Sequence, residues 1–113
     1  MTLGRLALSV LEASREGAAW EALRPGVSVR RLWGDSSAGP SVALLRYEPG
    51  ASVPAHRHAG FELIYVLEGA QSDERGRYEA GTLVVNPEGD AHSVSSDVGC
   101  LVLIVWQRPV EFL

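Results

Sequence analysis

An all-β domain, a sandwich or barrel of short strands, is the fold class expected of this sequence, on three grounds. Glycine and proline recur at short intervals, at Pro25-Gly26, Gly39-Pro40, Pro49-Gly50, Gly60, Gly69, Gly76, Gly81, Pro87, Gly89 and Gly99. Between them lie runs rich in Val, Leu, Ile and Tyr, which is the pattern of strands separated by turns. The chain of 113 residues, 46% apolar, is long enough for one domain with one core. Strands are expected at Val27–Trp33, Val42–Glu48, Glu62–Glu68, Thr82–Asn86 and Cys100–Gln107, and Ser72–Glu79 reads as a hairpin turning at Glu74-Arg75-Gly76. Residues 1–24 carry two patterns. Leu6, Leu8 and Val10 alternate like a strand, while Ala7, Val10, Leu11 and Ser14 fit a helical face. The expectation there is a short strand followed by irregular or helical structure. No linker divides the chain, so residues 1–113 are expected to form a single domain.

The net charge is −4 and the isoelectric point about 5.3. All ten cations are arginine, which removes lysine Schiff bases and lysine general bases from consideration. Only Arg30 and Arg31 are adjacent, so no basic face is predicted and no nucleic-acid partner is expected. No apolar run approaches the ~20 residues that span a bilayer. Leu6–Leu11 is mildly apolar, but Arg15 and Glu16 follow, without the order of a signal peptide. No membrane partner is expected, and a cytoplasmic location is. The single cysteine, Cys100, lies in an apolar run and reads as a buried, inert thiol.

The chain has only three histidines, and they are not scattered. His56 and His58 are two apart and Glu62 lies four beyond His58; in an extended chain even separations share a face. A bend over Ala59–Phe61 makes that parity a guide only. His92 follows Gly89 at the start of another short strand, where a closing barrel can bring it opposite the others. Three imidazoles and a carboxylate suit Zn, Fe, Mn, Ni or Cu, whereas Ca and Mg prefer oxygen shells. A lone His-x-His on a strand is more often an exposed polar face; the combination is what points to a metal.

These residues carry a resemblance to the cupin superfamily of RmlC-like barrels. Gly50, His56, His58, Glu62 and Gly69 match the first cupin motif with every spacing kept. Gly81, Pro87, Gly89 and His92 match the second, with Ser96 where the family often has Asn. The motifs run from residue 50 to 96, and flanking strands extend the resemblance to roughly residues 25–108. The resemblance implies a double-stranded β-helix, or jelly-roll barrel, and assigns His56, His58, Glu62 and His92 to the four metal-ligand positions. Within the superfamily, the stretch Gly69–Thr82, Asn86–Gly89, Trp33 and Gly99-Cys100 resemble the cupin domain of ChrR-type anti-sigma factors. There, an N-terminal zinc-binding domain holds the sigma factor and the cupin senses reactive oxygen species. The roughly 24 residues ahead of the strand region carry no Cys or His, so anti-sigma activity is not implied.

The expected function is a divalent-metal sensing or small-molecule-binding module, its ligand a small molecule or an oxidant. The alternative is a metal-dependent dioxygenase or related enzyme; a metal-free role runs against the intact ligand set. An enzyme needs further polar groups inside the barrel, and Arg46, Tyr47, Tyr65, Asn86 and Ser93–Ser96 are the candidates. Core packing or solvation is the commoner role for the first three, and a turn before Pro87 for Asn86. Trp20, Trp33 and Trp106 read as core or interface residues. Exposed strand edges lead to the expectation of a homodimer, with the N-terminal segment or Cys100–Gln107 at its interface.

Overall fold

The computed structural model describes residues 4–15 and 20–113. It is a double-stranded β-helix of ten antiparallel strands: β1 (Glu21–Arg24), β2 (Val27–Gly34), β3 (Ser41–Tyr47), β4 (Ser52–His58), β5 (Glu62–Asp73), β6 (Gly76–Glu79), β7 (Leu83–Asn86), β8 (Ala91–Ser95), β9 (Cys100–Trp106) and β10 (Val110–Phe112). One layer runs β1-β2-β3-β9-β5-β7 and the other β6-β5-β8-β4-β10. β5 belongs to both: Glu62–Gly69 pairs with β7 and β9, and Ala70–Asp73 pairs with β6.

Gly69 is therefore not the end of the ligand strand, as expected from sequence, but the point where that strand changes layer. Its φ is +72°, and a Cβ there would meet the carbonyl oxygen of Gly99. Glycine alone combines that backbone with that close approach. The Ser72–Glu79 hairpin forms as predicted, with Asp73 opposite Gly76 and Asp73 Oδ1 accepting from the Arg75 amide.

Period-2 alternation sorts the core. Ala43, Leu45 and Tyr47 of β3 point between the layers with Val27, Val29, Ile64, Val66, Val94, Val102 and Ile104. Cys100 is buried among them, and burial pushes its thiol up, which keeps it protonated. Leu44 and Leu101 face outward but are buried too, because the N-terminal segment covers them.

In that segment the expected strand at Leu6–Val10 is absent; one helical turn, Val10–Ala13, is capped by Ser9. Residues 1–3 and 16–19 lie outside the described residues. Ala13 packs on Leu44 and Leu101, and the outward guanidiniums of Arg30 and Arg46 donate to the carbonyls of Ala13 and Ser14 at 2.6 and 2.7 Å. Arg46 is thus a clamp on the outer face and not a pocket residue. β1 and β10 were not foreseen; both are short edge strands with weak patterns, and pairing with β2 and β4 defines them. Among the described residues no helix is long and apolar enough to cross a membrane.

Candidate metal centre

Alternation along β4 buries His56 and His58 and turns Arg57 outward. In the antiparallel β4–β8 pair, His56 lies directly opposite His92, so their side chains share a face. β10 flanks β4 on its other side and sets Phe112 beside His56, ring centroids 5.9 Å apart. Glu62 opens β5 in the facing layer. One ligand atom from each of His56, His58, Glu62 and His92 lies within 4.8 Å of the others, and all four residues are buried. All four residues singled out in the sequence converge.

Ring nitrogens show whether the set fits a metal. His56 Nδ1 lies 3.0 Å from the Pro54 carbonyl and His92 Nδ1 lies 3.1 Å from Asp73 Oδ2. Both partners accept, so both Nδ1 atoms carry the proton and both Nε2 lone pairs face inward. His92 Nε2 and both nitrogens of His58 are buried without a hydrogen-bond partner. His58 Nε2 does approach Glu62 Oε1 to 3.2 Å, but without hydrogen-bond alignment. An unsatisfied buried polar atom costs about 1–3 kcal/mol, and one cation would satisfy His92 Nε2 together with one of the two His58 nitrogens. The donor set of nitrogen and oxygen atoms suits a divalent transition metal.

Glu62 is held from both sides by sheet register. It lies opposite Asn86 of β7 and Trp106 of β9, and both side chains donate to it: Asn86 Nδ2 to Oε1 at 3.2 Å, Trp106 Nε1 to Oε2 at 2.9 Å. Burial pushes the Glu62 carboxyl up, but the neighbouring imidazoles, His58 first, outweigh it and hold the group below its usual value. Asp73 stands behind His92 and also accepts from the Tyr78 hydroxyl at 2.8 Å. It orients the ring as a carboxylate behind a ligating histidine does. Asp73→Asn is expected to weaken metal affinity about 10- to 100-fold, measured by competition with a chromogenic chelator; unchanged affinity would remove this role.

Acid should destabilise the metal-free protein. Burial, chiefly, depresses His56, and Glu62 and Asp73 are also held below their ordinary values. Each of these groups binds more protons when the chain is unfolded. Their contribution is therefore complete above about pH 6.5, the unfolded histidine value, and is lost as pH falls through the histidine and then the carboxylate range. Thermal melts of chelator-treated protein should show Tm falling steadily from about pH 7 to 4; a flat profile would contradict this.

Beside this cluster lies a cavity of about 270 Å³, lined by His56, Glu62 and His92 but not His58. Most of its walls are apolar, among them Leu45, Ile64, Val94 and Ile104. Of the other polar candidates, Tyr47 lines this cavity, Tyr65 is exposed outside, Ser93 bonds Glu74, and Ser96 donates to the Ala70 carbonyl in the core. Sequence reasoning named Asn86 as a barrel candidate but favoured a turn role, gave Trp106 to the core or an interface, and passed over Asp73 and the buried Gln71. For Trp106 a signal existed: it shares parity with Val102 and Ile104 on β9.

Comparison with known proteins agrees with this fold. The family model described as the ChrR cupin-like domain matches residues 12–111. The anti-sigma-E factor ChrR of Cereibacter sphaeroides is 33% identical over 100 residues, covering 86% of this chain and 46% of that protein. The chain therefore spans less than half the length of this curated relative. The solved complex of Rhodobacter sphaeroides SigE with the anti-sigma ChrR matches with a TM-score of 0.70 and 29% identity, covering 80% of this chain and 49% of that one. An acetylacetone dioxygenase from Acinetobacter johnsonii shares the fold, with a TM-score of 0.78 and 15% identity over 100% of this chain and 85% of that one.

Proposed function

The chain belongs to the ChrR cupin-like domain family, and from that membership we propose that it is a metal-dependent sensing or small-molecule-binding module. One divalent transition metal (zinc, iron, manganese or nickel) is held by His56, His58, Glu62 and His92. The observation that carries this reading is the set of buried imidazole nitrogens without partners, converging on one carboxylate. When bound, the ion supplies Lewis acidity and a coordination position for an incoming ligand. The chain's own residues do the rest. Asp73 and the Pro54 carbonyl fix two rings, Asn86 and Trp106 fix the carboxylate, and the apolar cavity limits water beside His56 and His92. The ligand is a small molecule or an oxidant that enters this cavity.

The reading places the protein in the cytoplasm as a homodimer, to be checked by light scattering on the eluting species. The expected interface elements, the N-terminal segment and β9, pack on one another within the chain. Binding of a sigma factor, known here for a relative of which this chain covers 46%, is a separate matter from the barrel's metal chemistry.

The test is the metal content of untagged protein by mass spectrometry, beside the double variant His58→Ala, His92→Ala. Near one metal per chain in the wild type, lost in the variant, is expected. No metal in either, even after reconstitution with Fe(II), Mn, Ni and Zn, overturns the reading. The second reading is a dioxygenase, favoured by the cavity opening directly on three of the four ligands. Iron as the native metal together with oxygen uptake on adding a substrate would select it.

A further inference from the structure

The cavity joins two kinds of chemistry. Its lining includes His56, Glu62 and His92 and also Leu23, Arg24, Arg31 and Phe112, with the Phe112 ring beside His56. The two arginines are not equivalent. Arg31 already shares Glu21, at 3.9 Å, and its side chain is 42% exposed. Arg24 is half-buried, stacks 4.9 Å over the Phe112 ring, and has no carboxylate partner among the described residues. Tyr47, which is buried, lines the same cavity. The one carboxylate among the cavity's lining residues, Glu62, is engaged by Asn86 and Trp106.

A positive charge thus faces an apolar chamber that offers it no anion. A guanidinium in that setting forms its strongest contact with a carboxylate, as a pair of parallel hydrogen bonds. Most of the other walls, including Val53, Val94, Ile104 and Val110, are apolar and suit a hydrocarbon body, with Ser36, Ser41, Tyr47 and Gln71 the polar exceptions. The volume of about 270 Å³ equals about nine waters at ~30 Å³ each, room for an acid of roughly six to nine carbons.

We propose that the cavity binds a small apolar monocarboxylate, its carboxylate on Arg24 and its hydrocarbon body in the chamber, reaching toward His56, Glu62 and His92. This names the ligand class for the small-molecule pocket of the reading above and rests on that pocket. It does not rest on the metal.

The test is calorimetric titration of the full chain, chelator-treated and metal-loaded, with hexanoate and phenylacetate against the neutral hexanamide and phenylacetamide. Each acid is expected to bind about tenfold or more tighter than its amide in both metal states, the increment of a charge-assisted pair. Arg24→Gln is expected to abolish the difference, and Arg31→Gln, a solvated arginine, to change acid binding by about threefold or less. Melting curves establish that both variants fold, and the wild-type comparison of acid with amide stands without them. Failure of the acids to bind, equal binding of acid and amide, or a preference that survives Arg24→Gln overturns the proposal. A preference confined to metal-loaded protein and lost with His92→Ala also overturns it, because the carboxylate then sits on the metal. A chain that takes up no metal yet keeps an Arg24-dependent preference upholds this proposal while the metal reading fails.

Discussion

Gly69→Ala should destabilise the protein by about 3 kcal/mol or more, a fall in Tm of roughly 10 °C. Two effects add. The φ of +72° is one that an L side chain adopts only with strain, and the new Cβ meets the Gly99 carbonyl oxygen and the Cys100 backbone. Neither neighbour can yield cheaply: Gly69 and Cys100 are paired across β5 and β9, and Gly99 itself sits at φ +85° against Tyr47 and Pro49. Gly81→Ala is the control. Its φ is +92°, but nothing lies within 4 Å of a Cβ there, so it carries backbone strain alone, about 1–2 kcal/mol. Chemical denaturation of both variants checks this. If Gly69→Ala costs no more than Gly81→Ala, close approach is not what requires glycine at the layer change. The consequence reaches the metal centre, because this bend sends Glu62 to one layer and Asp73 to the other.

His58→Leu should cost far more with metal than without it. His58 is 1% exposed, and neither of its nitrogens has an aligned hydrogen-bond partner. In metal-free protein an apolar side chain of similar volume removes a penalty of about 1–3 kcal/mol, offset by loss of the 3.2 Å approach of Nε2 to Glu62 Oε1, which helps to hold that carboxyl down. Metal-free His58→Leu should therefore melt near the wild-type temperature. With metal at a hundred times its dissociation constant, the wild type gains about 2.7 kcal/mol, and the variant forfeits most of it. Paired melts, chelated and metal-saturated, measure both. Destabilisation by a similar amount in both states would show that His58 serves packing and not the ion.

The candidate ligand set is legible in the sequence. His56 and His58 share parity on one strand, and their spacing to Glu62 and the return of His92 match a known pattern; all four converge. The hairpin at Ser72–Glu79 and the strands through Val27, Val42, Glu62, Leu83 and Cys100 follow from alternation and turn chemistry, which act within a few residues. The N-terminal strand did not form. Leu6 and Leu8 alternate, but strand pairing needs a partner edge, and the segment instead lays Ala13 on Leu44 and Leu101. Arg46 also reads differently in three dimensions, since alternation sets it opposite Leu45 and Tyr47, on the outer face, where Ser14 receives it.

Local rules are enough for the all-β class, the turn positions and the four side chains able to hold a metal. These depend on period, on backbone freedom at glycine and on donor chemistry, each of which acts over a few residues. Which groups support those four is settled by the closed barrel alone. Asn86, Trp106 and Asp73 stand 24, 44 and 19 residues from the side chains they hold. Period 2 tells which face of its strand a residue occupies, but not which residue lies across from it. That depends on how β5 registers with β7 and β9, and on the bend at Gly69 that carries its far end to the other layer. Cross-strand register is set when the core packs and all the strands align together, so no short stretch of sequence contains it.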